Sequence, residues 1–493
     1  MGNVESLAYF VPELVLIVTL ILALLATIFG VDRAKWDVIG ALALIGTIIA
    51  FLCHISLYDK PAVVIFQGML VHDMFALFFR GFFIFCTAII VFMTMFSSEI
   101  FSLKKGEFYA ILLSVTIGMC LVASSHDMVM IYLALELMSL GSYILAGFAR
   151  KIGKSEEASL KYVLYGGVST GMMLFGLSLL YGLTGSTGFD GIRESLANAT
   201  GGIDLAVYVI FILILAGAGY KIAMVPFHFW APDVYEGAPT PVTAYLSVAS
   251  KGAGFALLIR LGFSILLQPG ESGAWVEVGS INIDWMFTIA LLSAITMTIG
   301  NLGAIVQVNL KRLLAYSGIA HAGYILMGVS TLTTVGIESV IFYLIIYLFT
   351  NLVAFLVVIM MVEAQDDDRI TAVRGLWKSA PYSAVFMTIA LLSLIGIPPA
   401  AGFVGKVYIF YAILQSQMYW LAVIGALNTV ISLYYYARII KAMFFEDAPD
   451  VGSFTLKPVY LGLLIVLTIP IIYFGLFWNP LANYAKFCAQ LIM

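Results

Sequence analysis

Three lysines stand in stretches too apolar to hold a charge without cause: Lys221 in Gly217-Ala218-Gly219-Tyr220-Lys221, Lys251 in Ala249-Ser250-Lys251, and Lys406 in Gly402-Phe403-Val404-Gly405-Lys406. An ionisable group at a bilayer centre costs at least about 2.5–3.5 kcal/mol on insertion scales, so each calls for a reason. Lysine suits proton relay because burial can bring its deprotonation into the physiological range, whereas arginine stays protonated. One carboxylate is at hand. Glu136 lies in the otherwise almost wholly apolar Tyr132-Leu133-Ala134-Leu135-Glu136-Leu137-Met138-Ser139-Leu140, and Lys221 is its expected partner. Movement of this anion relative to the cation would load or unload a proton. Lys161 is a candidate connection between Lys221 and Glu136, while His228 and His321 add groups that titrate near neutrality. His321, between Lys251 and Lys406 in the sequence, can bridge them through water. The competing readings are static lysine–carboxylate pairs, helix-end anchoring for Lys161, and packing roles for the histidines. Neither histidine has a second His, Cys or carboxylate at metal-ligand spacing, so no metal site is expected.

Composition dictates the elements that position these residues. Of 493 residues, 62% are hydrophobic and 11% charged, against about 45–50% apolar and about 25% charged in soluble domains; mean hydropathy is +1.06. The chain is therefore predicted to be an all-α polytopic membrane protein. At about 20 apolar residues per crossing, about 14 transmembrane helices are expected, near 9–30, 38–57, 73–96, 107–125, 127–149, 157–184, 203–231, 241–266, 285–308, 312–332, 336–362, 381–417, 419–445 and 456–478. The first run lacks a basic n-region and is read as a span rather than a cleaved signal. A net charge of -4 without a basic patch excludes a nucleic-acid binder. Cys53, Cys86, Cys120 and Cys488 sit singly, which excludes a disulfide scaffold. No Walker A loop, GxGxxG or nucleophile elbow is present, so this chain alone has no machinery for ATP, NADH or hydrolytic chemistry.

Cationic loops orient the spans. Arg33, Lys35, Lys104, Lys105, Arg150, Lys151, Lys154, Lys311, Arg312, Arg369, Arg374, Lys378, Lys441 and Lys457 fall on one side, and Lys60, Arg193 and Lys486 on the other. This fourteen-to-three bias puts both termini on the outer, periplasmic side. Arg80, Arg260 and Arg438 are read as snorkelling from helix ends. Helix 7 is interrupted at Pro226 and Pro239, and helix 12 at Gly396-Ile397-Pro398-Pro399. An offset of five helices makes helices 4–8 and 9–13 inverted repeats with broken helices at matching places, an arrangement that marks ion paths in transporters; ordinary proline kinks are the alternative. The chain then divides into helices 1–3 (1–100), a first five-helix repeat (107–266), a second inverted repeat (285–445), and helix 14 with a C-terminal tail (456–493).

These residues resemble the antiporter-like membrane subunits of respiratory complex I, the proton-translocating NADH:quinone oxidoreductase. The resemblance is densest from Gly219 through Val225-Pro226-Phe227-His228-Phe229-Trp230-Ala231-Pro232-Asp233 to Pro241. It continues in Asn309-Leu310-Lys311-Arg312-Leu313-Leu314-Ala315-Tyr316-Ser317-Gly318-Ile319-Ala320-His321 and in Gly402-Phe403-Val404-Gly405-Lys406. The L-type subunit carries a C-terminal lateral helix, which is not expected here because the sequence stops soon after its fourteenth helix, and Lys406 stands where the M-type carries glutamate. The resemblance implies a central axis of Glu136, Lys221, Lys251 and Lys406, with Lys161 and His321 as connecting members. It further implies a bacterial inner-membrane translocase with subunits K and M as lateral neighbours. No cofactor is expected in this chain; FMN, iron–sulfur clusters and quinone would belong to partner subunits. A subunit of a multisubunit sodium/proton antiporter, resembling this chain over helices 4–13, and a purely structural membrane-arm subunit are the rival expectations.

Overall fold

The computed structural model describes residues 2–30, 37–101, 105–149, 153–199, 202–269, 275–277, 283–447 and 457–489. The crossings are α1 (Val11–Ile28), α2 (Val38–Ile55), α3 (Met74–Phe96), α4 (Lys105–Ser124), α5 (Met128–Ala146) and α6 (Gly153–Thr184). Then follow α7 (Asp204–Ile222), the two-turn α8 (Trp230–Gly237), α9 (Thr240–Leu266), α10 (Trp285–Ile305), α11 (Leu310–Ser330) and α12 (Thr334–Gln365). The half-helices α13 (Pro381–Ile395) and α14 (Ala401–Gln415) precede α15 (Tyr419–Phe445), α16 (Pro458–Leu476) and the amphipathic α17 (Asn479–Ala489). Thirteen described helices are long and apolar enough to cross a membrane, and α13 with α14 makes a further, broken crossing.

Local chemistry sets the boundaries. Asp37, Asp73, Asp127, Asp284, Asn309 and Thr333 each stand just before a helix and accept a hydrogen bond from its first-turn amides, satisfying donors that the helix itself cannot. The span expected over 203–231, with its break at Pro226, ends slightly before that proline: Ala223 takes a left-handed backbone (φ 58°), with its amide bonded to Tyr220 O and that of Met224 to Gly219 O. In the same way Gly396 (φ 87°) closes α13 before Pro398-Pro399. A left-handed residue followed three positions later by proline thus ends the first half of both interrupted helices, because proline cannot continue the hydrogen-bond ladder. Two features were not anticipated: short hairpins (Val63–Ile65 with Leu70–His72, Leu267–Pro269 with Trp275–Glu277) in the connections, and α17 lying against α12 and α3.

The connections gather at two ends. At one, Lys60 donates to Ala8 O, His126 N to Met69 O and Met128 N to Thr187 O. At the other, Lys457 reaches Phe96 O, Lys311 reaches Ala238 O, Leu310 N bonds Asp368 O and Gly375 N bonds Ala442 O. Among the described residues, the second end carries most of the loop cations; Arg33, Lys35, Lys104, Arg150 and Lys151 lie outside the described residues.

Two arginines correct the snorkelling expectation. Arg80 is buried and clasps Glu13 on α1 at 2.6 and 2.7 Å, also donating to Tyr9 O. Arg260 on α9 grips Asp73 with two hydrogen bonds of 2.6 and 2.9 Å and donates to Ala123 O. Both point into the bundle because α1, α3, α4 and α9 pack their ends together, so partners inside replace water outside. Arg438, by contrast, does stay near a helix end, capping α10 through Ile305 O.

Candidate proton-relay site

Lys221, Lys251 and Lys406 all lie inside the protein, at 5% exposure or less. Lys221 occupies the last turn of α7, directly before the break. Its Nζ makes no hydrogen bond within the protein and sits 5.4 Å from the ring centroids of Tyr143 (α5), Tyr162 (α6) and Tyr220 (α7). Such a box attracts an ammonium through the ring faces, by about 0.5–2 kcal/mol per ring, without the fixed geometry of a salt bridge. Two contacts hold the box together: Tyr220 donates to Tyr162 O, and Trp230 at the start of α8 donates to Tyr220 O while stacking on Tyr162.

Glu136 is half-buried on α5, with one carboxylate oxygen enclosed and unpartnered. The expected pairing with Lys221 is one of field rather than contact: the two interact electrostatically but neither hydrogen-bonds the other. Leu133, Leu137 and Leu140 on the same stretch are exposed, so Glu136 lies at the edge of a lateral apolar face.

A π-helical turn, Leu246–Ser250, delivers Lys251 to the centre of α9. Its Nζ faces Tyr235 of α8 and lies where a side chain on Gly318 would stand: a Cβ there would come within 2.5 Å of Nζ and 3.1 Å of the Tyr347 hydroxyl. Gly318 therefore makes room for the lysine beside α11. One turn on, His321 contacts the Tyr343 hydroxyl through Nδ1 (2.7 Å) and the Tyr436 hydroxyl through Nε2 (3.2 Å), and Tyr436 in turn pairs with Ser317. The imidazole feels the charges of both Lys251 and Lys406. Lys406, in the second turn of α14, donates to Ile395 O at 2.9 Å and lies 4.5 Å from the Tyr324 ring centroid. Ile395 is the last residue of α13, so the break frees the carbonyl that the lysine uses.

Lys161 and His228 stand apart from this line. Lys161 Nζ is held by Glu157 and Asp233, each at 2.7 Å, on a part-exposed flank of α6. His228 packs against Phe229 in the loop after the break and hydrogen-bonds none of the three lysines. Outside the membrane-spanning segments, burial works against the charge on Asp233, yet hydrogen bonds from Lys161 and Arg312 outweigh it and hold the carboxyl below its ordinary range.

Sequence reasoning missed the tyrosines. Tyr143, Tyr162, Tyr220, Tyr235, Tyr324, Tyr343, Tyr347 and Tyr436 surround the charged groups, and only the adjacency of Tyr220 to Lys221 and the helical spacing of Tyr343 and Tyr347 hinted at it. Several buried polar atoms on this line have no partner within the protein: Tyr143 OH, Tyr162 OH, Ser250 Oγ, Tyr235 OH, Tyr347 OH and Asn351 Oδ1. Buried polar groups are normally paired, so a run of such atoms beside three lysines sets a polar seam within an apolar bundle.

Residues 125–432 match the family described as NADH:quinone oxidoreductase/Mrp antiporter, TM. The chain is 43% identical to the NADH-quinone oxidoreductase subunit N of Anaeromyxobacter sp. (strain Fw109-5), covering 99% of this chain and 98% of that one. A chain of respiratory complex I from Thermus thermophilus superposes with a TM-score of 0.78 at 28% identity, over 96% of this chain and 98% of that one. A chain of the archaeal membrane-bound sulfane sulfur reductase shares the fold, with a TM-score of 0.86 at 21% identity over 99% of this chain and 98% of that one. With the seam and its lysines in place, these likenesses establish that the chain belongs to the NADH:quinone oxidoreductase/Mrp antiporter membrane family, on its subunit N branch.

Proposed function

We propose that protons cross this subunit along the seam, passing from Lys221 through Lys251 and His321 to Lys406, with Glu136 setting the charge on Lys221 from the lateral face. The carrying observation is that Lys221 and Lys251 are buried ammonium sites with no fixed hydrogen-bond partner, free to exchange protons with water. A buried water needs two to four polar partners, and Tyr162, Ser250, Tyr235 and Tyr347 supply them between the lysines. Lys406 and His321 continue the line through Tyr343, Tyr436 and the freed carbonyl of Ile395.

The chain serves as a proton-translocating membrane-arm subunit of NADH-quinone oxidoreductase. Its redox partners, carrying FMN, iron–sulfur clusters and quinone, lie in other subunits of the complex, with K and M as the lateral neighbours. The exposed leucines around Glu136 suit one such neighbour, which would shield that carboxylate from lipid. The matched breaks support inverted repeats of five helices, and the cation-rich end is the cytoplasmic one, placing both termini outside the bacterial inner membrane.

Lys221→Ala in the assembled complex tests the relay. NADH-driven proton uptake into inverted vesicles should fall to half or less per electron, with assembly verified on a native gel. Unchanged pumping per electron would make the chain a scaffold whose lysines are inert.

A further inference from the structure

The two-turn helix α8 has two unlike faces. Inward it presents Trp230, which closes the Lys221 box, and Tyr235, which faces Lys251. Outward, one turn apart, it presents Asp233 and Glu236. Asp233 accepts from Lys161 of α6 (2.7 Å) and Arg312 of α11 (2.6 Å). Glu236 accepts from the same Arg312 Nη1 (3.0 Å) and from Lys154 of α6 (2.9 Å). We infer that Asp233, Glu236 and Arg312 are positioning residues that clamp α8 over the Lys221–Lys251 chamber and so govern when protons from the cation-rich end reach it. This inference rests on the relay reading above.

Three observations carry it. First, Arg312 is a single bridge: one guanidinium nitrogen serves both carboxylates, and its Nε is steadied by Gln307. Removing it leaves two like charges on one helix face without their ion-pair partner from α11, where only Lys311, bonded to Ala238 O, still reaches the end of the helix. Second, α8 meets α6 backbone to backbone at Gly237, where a Cβ would stand 2.2 Å from Lys154 O. The helix therefore meets α6 through its backbone, while on the α11 side its outward face is held by Arg312 and its end by the Lys311 hydrogen bond to Ala238 O. Third, the clamp side chains Asp233, Glu236 and Arg312 are 23–29% exposed. Ion pairs that water reaches are individually weak, so this attachment can open and close, unlike the fully enclosed Arg260–Asp73 pair. Displacing α8 outward would separate Trp230 from Tyr162 and Tyr235 from Lys251 together, admitting water to both lysines in one movement. In this arrangement Lys161 acts through Asp233 on the position of α8.

The test uses the whole complex in inverted vesicles. Val234→Cys places a thiol on the buried face of α8, and its modification by a membrane-impermeant maleimide, read by peptide mass, reports detachment of the helix. Arg312→Gln is expected to raise the modification rate about tenfold and to lower protons pumped per electron at least twofold. Arg312→Lys, which keeps a cation between the carboxylates, should restore both readouts most of the way. Unchanged modification in assembled Arg312→Gln overturns the clamp whatever the pumping does, and so does raised modification with full pumping. Full pumping by Lys221→Ala would instead overturn the relay while leaving the maleimide result untouched, so the two failures are separable.

Discussion

Lys406 holds a carbonyl that exists as a free acceptor only because α13 ends at Ile395. A fixed anchor there would accept any cation of similar reach, whereas a carrier must also release its proton, which arginine effectively never does. Lys406→Arg is therefore expected to assemble normally yet pump as poorly as Lys406→Ala, at half or less of the normal protons per electron in inverted vesicles. Full pumping by the arginine variant would leave Lys406 a structural charge. Glu136→Gln keeps size and removes the field that reaches Lys221; pumping coupled to quinone reduction should fall severalfold with assembly intact, and Glu136→Asp should fall less. The lysines and Glu136 were legible in the sequence because a charge in an apolar run is conspicuous. The tyrosines were not, since 26 of them are scattered over the chain and nothing in spacing alone tells an interfacial ring from one that boxes an ammonium. The partners of Lys161 were not legible for a related reason: sequence depth does not say which flank of a helix faces the core, and here its ammonium meets Glu157 and Asp233.

The interrupted helices were visible as glycine and proline clusters, and their halves fall close to the expected boundaries, apart from the early stop of α7. Ala223 explains that miss, because nothing about alanine announces a left-handed residue. Gly396 carries the corresponding turn in the second interrupted helix and also bounds the pocket of Lys406: a Cβ there would lie 2.9 Å from Lys406 Cδ. Gly396→Ala should thus cost about 1 kcal/mol or more in stability from the positive φ alone and push the lysine off the Ile395 carbonyl. Its pumping should resemble that of Lys406→Ala, and a normal proton-to-electron ratio in the assembled variant would show that the side chain adapts.

At the scale of the molecule, enclosed charge ties α1 to α3 through Glu13 and Arg80, and fastens the start of α3 to α9 through Asp73 and Arg260. Arg80 with Glu13 and Arg260 with Asp73 were misread as snorkelling because a sequence places an arginine along a helix but not against a distant carboxylate. Breaking such a pair strands a charge in the interior and typically costs about 3–5 kcal/mol. Asp73→Ala, which leaves Arg260 without its carboxylate, is expected to cut the yield of assembled complex sharply and lower its thermal midpoint, as read by native gel after graded heating. A surface pair such as Lys378–Asp447 should tolerate the same treatment. One further consequence follows from α12, which runs unbroken from Thr334 to Gln365 and supplies Tyr343 to His321, Tyr347 to the Lys251 pocket and Phe355 to the flank of Tyr235. The stations of the second half are graduations on a single ruler. A helix turns about 100° per residue, so one amino acid inserted near Leu344 would rotate the Tyr343 and Tyr347 marks out of phase with each other, an error that no side-chain adjustment elsewhere can re-zero.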